Sequence, residues 1–551
     1  MAAVRAPRAR PGGRGTGGWV LPVAGAAVFA VAVALRATAR YGPGAEPDTV
    51  TYLAAAHHLR TGHGFADIDG SPLTLFPPLF PAAVAALEWL GLGPLPAARF
   101  LNAALLGVLV VLAAVWTRRI SGSAVLGAVV AVVVAVATPM VAMGSDALSE
   151  PIGIVFVVAC LLFLTEARRT GAVRHGFLAG LAAGLACLAR YASVALFPVG
   201  IVVLLGRPGR ATARIRLAAT FLVAGAVPFG AWLARNVAAA GNATGDGRGR
   251  SALTFAASLK LTLAAVGAWV LPEATPVDAR AVVGVVLVAT VTGALLASAV
   301  AGRRRARPPV LGMAASGTAA LGTAALGTAA LGTATSGTAA SAALALPAAL
   351  FVVFGVGSVV WFEATMAIDP PPRFLLPVFV PLVVTAAVGV ADRARHRAWR
   401  PPAAAALVAL IVAASLPGLF AFVRRADRKG LLDYSTPAWA ASPLLDSLKA
   451  DPVRGTVASD DPYILELRLG IPAQLTPART YYASRQATDE LPAFVQAATR
   501  AAAAGGLSVV WFPRSYQPYL YSLADLEKVL CLRIERHFAD GDLLRSCPGG
   551  T

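Results

Sequence analysis

Glu46-Pro47-Asp48-Thr49-Val50-Thr51-Tyr52 places two carboxylates and a phenol about a dozen residues beyond a long apolar segment. A carboxylate held there, close to a membrane surface, can take the proton from a hydroxyl nucleophile, a role worth ~10²–10⁴ in rate. Pro47-Asp48-Thr49 equally suits the start of a helix, with Asp48 as its cap. A second acidic pair, Asp146 and Glu150, stands in Ser145-Asp146-Ala147-Leu148-Ser149-Glu150-Pro151. Four residues apart, the two are expected on one helix face, where they could hold a divalent cation or orient an acceptor. The alternative is capping of the following span by Ser145 or Asp146. Glu150 lies deeper, where acidic groups are costly and usually functional. Three arginines complete the set: Arg190, Arg235 and Arg373, the last in Pro370-Pro371-Pro372-Arg373-Phe374. Guanidinium groups suit a phosphate or diphosphate leaving group, whereas any one of them could instead snorkel to lipid headgroups. His57, His58 and His63 match no standard metal spacing and read as structural or surface residues.

What must position these residues is a membrane. Of the 551 residues 57% are hydrophobic and only 14% charged, and the mean hydropathy is +0.69, far too apolar for a soluble globule of this size. Lys and Arg outnumber Asp and Glu 47 to 28. The excess falls in short clusters between apolar spans, a topology signal and not a nucleic-acid footprint. The four cysteines form no CxxC pair and no metal-type cluster.

Apolar runs long enough to cross begin with Trp19 to Leu35. They recur near 97–117, 123–142, 148–165, 174–189, 191–206, 214–236, 280–301, 342–362, 373–391 and 402–423, giving about eleven transmembrane helices. The first is kept as a helix because no convincing cleavage site precedes Glu46. Arg118-Arg119, Arg168-Arg169, Arg207 to Arg216, Arg303 to Arg307 and Arg393 to Arg400 fall on alternate connections, on the side of the basic N-terminus. The positive-inside rule makes that side cytoplasmic, and an odd number of crossings puts the C-terminal region outside. The spans 174–189 and 191–206 are short and are interrupted by Arg190. Leu79 to Leu90 reads as an interfacial amphipathic helix.

The chain therefore divides into a basic cytoplasmic tail (1–18), a transmembrane domain (19–423) and an extracytoplasmic α/β domain (424–551). A Leu-Gly-Thr-Ala-Ala repeat of period five over about 311–341 matches neither helix nor strand and reads as a low-complexity cytoplasmic insert. In the last domain Gly455 to Ser459 and Leu507 to Phe512 read as buried strands, and Ser522 to Asp525 opens a helix. Asp540-Gly541 marks a hairpin. Cys531 and Cys547 could pair in an oxidising exterior, although a simple two-residue turn would not set them opposite one another.

These pieces in this order resemble the GT-C superfamily of membrane glycosyltransferases. The resemblance is to the group that includes dolichyl-phosphate-mannose protein mannosyltransferases, lipid A aminoarabinose transferases and bacterial Rgt-type sugar transferases. The resemblance rests on Pro47-Asp48 with Tyr52, Phe76-Pro77-Pro78-Leu79-Phe80-Pro81, Ser145 to Pro151, Ala189-Arg190-Tyr191, Trp232-Leu233-Ala234-Arg235-Asn236 and Arg373-Phe374-Leu375-Leu376-Pro377, and covers roughly residues 20 to 390. It implies a polyprenyl-phosphate sugar as donor, a first-loop Asp that activates the acceptor hydroxyl, and inversion at the sugar carbon. Asp48 is then the general base, with Glu46 and Tyr52 beside it. Asp146 and Glu150 lie near acceptor or metal, and Arg373, Arg190 and Arg235 serve the lipid phosphate. Many relatives carry two adjacent acids in the first loop; here Pro47 separates them, so the resemblance carries over no definite metal requirement.

The expected protein is a multi-pass inner-membrane enzyme that moves a sugar from polyprenyl phosphate to an envelope glycan, lipid or protein. A lipid or sugar transporter should show paired halves and midplane ionisable groups, which the sequence lacks. An inactive envelope assembly protein with the same fold is the third possibility, and it predicts that replacing Asp48 changes nothing beyond stability.

Overall fold

The computed structural model describes residues 18–245, 253–271, 275–305, 324–366, 372–396, 401–453, 455–480, 486–504 and 506–547. Apolar runs fold as helices because lipid offers no partner to a backbone N–H or C=O. In chain order they are α1 (Val20–Ala37), α2 (Pro47–Arg60), α3 (Leu79–Glu88), α4 (Pro94–Ser121), α5 (Ala124–Val136), α6 (Thr138–Ser145), α7 (Glu150–Thr170), α8 (Val173–Ala189), α9 (Leu196–Leu205), α10 (Ala211–Ala240), α11 (Phe255–Gly267), α12 (Val277–Arg305), α13 (Ala324–Met366), α14 (Leu376–His396) and α15 (Pro401–Lys429). Among the described residues seven helices are long and apolar enough to cross a membrane, or eight when the bent pair α5 and α6 is taken as one span. The expected segments 174–189 and 191–206 are present as shorter apolar helices, and α11 is a further one that the hydropathy reading passed over.

Three departures from the expected spans have local causes. The run 123–142 is broken by 60° between α5 and α6. Pro139 has no N–H to continue α5, and it sits instead in the first turn of α6, where none is needed. The short α8 is seated on α10 through glycines every fourth residue. A side chain on Gly180 would stand 2.1 Å from the Phe221 carbonyl oxygen, and one on Gly184 2.6 Å from that of Gly225. This is the small-residue packing by which helices associate in lipid. Of the five-residue repeat, 311–323 lies outside the described residues. From Ala324 the backbone is helical and continues into α13, because alanine's helix propensity overrides a repeat that has no helical period.

The C-terminal domain adds α16 (Pro437–Ala440), α17 (Pro443–Ala450), β1 (Thr456–Ser459), α18 (Pro462–Leu469), β2 (Gln474–Leu475), α19 (Glu490–Ala504), β3 (Leu507–Trp511), α20 (Leu523–Glu527), β4 (Leu532–Phe538) and β5 (Gly541–Ser546). The sheet order is β2-β1-β3-β5-β4, with β1 parallel to β2 and β3 and the β4–β5 hairpin antiparallel. Asp461 caps α18, accepting from the Ile464 N–H and from the Tyr434 hydroxyl, the latter at 2.7 Å. Cys531 and Cys547 are bonded. A register shift between Ile534 and Arg536 brings them opposite, leaving Glu535 as the extra residue. The expectation that the hairpin would set them out of register holds for a regular ladder and fails because of this bulge.

The domain sits on the loop between α1 and α2. The Tyr434 N–H donates to the Ala45 carbonyl at 3.0 Å, and the Ser435 hydroxyl donates to that of Pro43. Ala45 and Val50 share an apolar cluster with Tyr434, Ile464 and Leu465.

Candidate active site

Glu46 is extended and occupies the N-cap of α2; Pro47 follows as its first residue and Asp48 lies in its first turn. The cap position thus belongs to Glu46 and not to Asp48. The Glu46 N–H donates to Thr49 Oγ1 at 3.2 Å, and the positive end of the helix dipole favours both carboxylates. Asp48 is left with a third of its side chain exposed.

The second acidic pair is placed differently from the expectation. Asp146 is the extended residue that ends α6, and Glu150 is the first residue of α7. They sit at the ends of two helices, not on one helix face, because Ala147 to Ser149 turn the chain between them. That turn is fixed by Asn102, whose Nδ2 donates to the Asp146 carbonyl at 2.7 Å and to that of Leu148 at 2.8 Å. It is also bonded to the first loop. The Gly44 N–H donates to the Ser145 carbonyl at 3.0 Å, and the Ala147 N–H donates to that of Gly44 at 2.8 Å. A Cβ at position 44 would stand 2.1 Å from Asp146 Oδ1, so a larger residue would have to displace that carboxyl group.

Two arginines join the acids, each carried on an irregular entry to a helix. Arg190 is extended between α8 and a 3-10 turn over Tyr191–Ala195; Arg373 lies in another such turn, Pro372–Leu375. Arg373 bonds the Glu46 carboxylate, places Nη2 2.9 Å from Asp48 Oδ2, and has Nε 3.7 Å from Glu150 Oε1. Arg190 Nη1 is 2.6 Å from the same Glu150 oxygen and 3.4 Å from Ser149 Oγ. The Phe374 ring underlies both guanidiniums, with Cζ atoms 5.1 Å and 5.5 Å from its centroid. One ring and one buried carboxylate, Glu150, hold the two cations together.

Tyr52 also reaches this cluster, its hydroxyl 3.0 Å from Ser149 Oγ. Its ring is packed edge-on against Phe76 and Phe80 of the proline-rich run, at 4.9 and 5.3 Å. Burial first, and then the charge of Asp48, push its hydroxyl above the usual phenol range, so Tyr52 orients its neighbours as a neutral group. Burial raises Glu46 to about 7 even against Arg373, with Asp48 and Glu150 contributing in the same direction. Asp146 is driven well above the carboxylate range by burial, then by Glu150 and Glu46. Glu46 and Asp146 are thereby pushed toward their neutral forms, which lessens the excess of negative charge over the two guanidiniums.

Arg235 is not in this cluster. Its guanidinium donates to the carbonyls of Leu73 at 2.6 Å and Phe65 at 2.8 Å, and it lies over the Trp232 ring. Nearby, the Tyr191 hydroxyl donates to the Thr74 carbonyl at 2.8 Å and accepts from Trp232 Nε1 at 2.9 Å and Asn236 Nδ2 at 3.2 Å. The motifs Arg190-Tyr191 and Trp232 to Asn236 thus meet on one stretch of the loop between α2 and α3, and Arg235 braces that loop. Among the described residues no three His, Cys, Asp or Glu side chains are grouped as a metal site. Glu46, Asp48 and Glu150 converge on Arg373. Ser149, Phe374 and Gly44 escaped the sequence reading, because a hydroxyl, a ring and a missing Cβ carry no charge signal.

Residues 67–238 match the family model of dolichyl-phosphate-mannose-protein mannosyltransferases. No curated protein matches the chain significantly in sequence. In structure the chain is similar to ArnT from Cupriavidus metallidurans bound to undecaprenyl phosphate. The TM-score is 0.60 and the identity 14%, over 97% of this chain and 99% of that one. Against the same protein in the apo state the TM-score is 0.48, at 14% identity over 96% and 98%. The chain shares the ArnT fold over nearly its whole length, and the mannosyltransferase family model matches within residues 67–238.

Proposed function

We propose that this protein is an inverting glycosyltransferase that moves a sugar from a polyprenyl-phosphate donor to a hydroxyl of an envelope acceptor on the extracytoplasmic face. The observation that carries the reading is the direct pairing of Asp48 with Arg373, 2.9 Å apart, inside an ArnT-like fold. It joins a base for the acceptor to a cation for the leaving group.

In this reading Asp48 takes the proton as the acceptor oxygen attacks the anomeric carbon. The bond from that carbon to the phosphate oxygen breaks, its electron pair stays on the departing polyprenyl phosphate, and a single displacement inverts the configuration. Arg373 and Arg190 stabilise the charge that gathers on the leaving phosphate, which is the larger electrostatic contribution. Before the donor arrives Arg373 is engaged by Glu46 and Asp48, and a carboxylate so paired is a weak base. A donor phosphate that draws Arg373 away would leave Asp48 freer to accept a proton. Glu46, raised to about 7, gives up its hold on the arginine at little cost. Asp146 and Glu150 line the acceptor side, and Arg235 keeps the loop in place.

Two observations support the sidedness. Arg118, Arg119, Arg168 and Arg169 end α4 and α7, at the opposite end of α7 from Glu150, in keeping with the positive-inside rule. The Cys531–Cys547 bond suits an oxidising compartment.

The test is transfer of labelled sugar from a panel of polyprenyl-phosphate donors to envelope acceptors by purified protein, beside folded Asp48→Asn. Transfer by the parent and its collapse in the variant are expected. A panel without transfer, or a variant as active as the parent, overturns the reading.

A further inference from the structure

At the other end of the bundle the arginines make a site of their own. The helix α7 has 21 residues and so spans about 30 Å, the thickness of a hydrocarbon core. It carries Glu150 at one end and Arg168 and Arg169 in its last turn. Beside that last turn α4 ends with Arg118 and Arg119, and Gly122 follows in the left-handed region at φ +70. Arg118, Arg119, Gly122 and Arg169 line a cavity of about 430 Å³.

Helix C-termini are partly negative and attract cations, which explains some of these arginines. It does not explain how they are partnered. Glu166 is nearly buried and serves two of them, with Arg169 at 2.6 Å and Arg119 at 3.3 Å. Arg118 has no carboxylate partner among the described residues. Its guanidinium lies over the Trp19 ring, 4.5 Å from the centroid. Stacking fixes the plane of a guanidinium and leaves its in-plane N–H groups to bind an oxyanion bidentately. The space beside Gly122 is open, since a Cβ there would meet nothing within 4 Å.

We propose that this cavity binds the phosphate of one anionic phospholipid, with Arg118 as its principal donor. The position selects a lipid over a soluble anion. Arg118 and Arg169 close apolar spans, and Trp19 opens one, so the cavity lies at the depth of headgroups, where basic pockets between helices take anionic lipids. The inference is independent of the reaction at the other face.

The full chain, purified and delipidated in detergent, is exposed to phosphatidylglycerol or phosphatidylcholine, and bound lipid is counted by native mass spectrometry. The expected result is one retained phosphatidylglycerol, preferred at least tenfold over the zwitterionic lipid. Arg118→Gln, which leaves the Glu166 pairs intact, should lose at least tenfold of that retention, and Arg169→Gln should also weaken it. Arg216→Gln, on the same side but outside the cavity, should leave it unchanged. No preference in the parent, full retention by Arg118→Gln, or equal loss in Arg216→Gln overturns the proposal. So does complete displacement of the lipid by an equal concentration of inorganic phosphate, which would make this a soluble-anion site.

Discussion

Arg373 Nη2 and Asp48 Oδ2 are 2.9 Å apart although 325 residues separate them in the chain. The same guanidinium bonds Glu46, so the proposed base and the proposed phosphate ligand neutralise each other until a donor competes for the arginine. Asp48→Asn should lower transfer by ~10²–10⁴. The protein should remain folded, because the amide oxygen can still accept from Arg373. Labelled transfer with a size-exclusion profile of the variant checks this.

Arg373→Lys keeps a charge but loses the fork that reaches two carboxylates at once. It should raise the donor KM and lower kcat together, by tenfold or more. Arg373→Ala leaves Glu46, Asp48 and Glu150 without their common cation and should also destabilise the protein by ~2–4 kcal/mol, somewhat less than for a fully buried pair. Steady-state kinetics and thermal unfolding in detergent separate the two effects.

Glu46 is raised to about 7 in the folded protein, above an unfolded value of about 4.5. The folded state therefore binds the extra proton between those values, and this group's contribution to stability falls as pH rises through that window. Glu46→Gln should abolish that dependence, making the variant at least as stable as the parent above pH 7 and no more stable below pH 4. Melting temperatures measured from pH 4 to pH 8 decide it.

Arg235→Ala releases the carbonyls of Phe65 and Leu73. The expected result is faster proteolysis between residues 61 and 78, and a loss of activity that better folding conditions partly restore. A donor KM that rises with no change in proteolysis would instead place Arg235 on the phosphate.

Cys531→Ser should cost about 3 kcal/mol, the usual value for a loop of this size, since 16 residues separate the paired cysteines. Transfer at low temperature should persist, because the disulfide lies in the sheet and not in the charged cluster. Denaturant unfolding of the parent with and without reductant provides the measure.

Much of this was legible in the sequence because charge is conspicuous among apolar residues. Glu46, Asp48, Glu150, Arg190 and Arg373 stand out on that ground alone, and the structure gathers all five. Arg235 has the same look and a different task, since a sequence does not reveal whether a guanidinium meets a carboxylate or a carbonyl. The four-residue spacing of Asp146 and Glu150 suggests one helix face, and the structure departs from it because the chain turns between them. The break at Pro139 and the bulge at Glu535 each hinge on a single residue interrupting a regular pattern. The glycine seam between α8 and α10 is invisible to a hydropathy count.

The two rungs that tie Gly44 to Ser145 and Ala147 are neutral amide bonds, and neither ionic strength nor protonation weakens them as it would an ion pair. With the Asp146 carboxyl group 2.1 Å from where a Cβ at Gly44 would stand, the two acidic loops pack as one hydrogen-bonded, electrically neutral frame. Changes of protonation or ionic strength at the carboxylates and arginines mounted on it therefore act on the charges without acting on these two bonds.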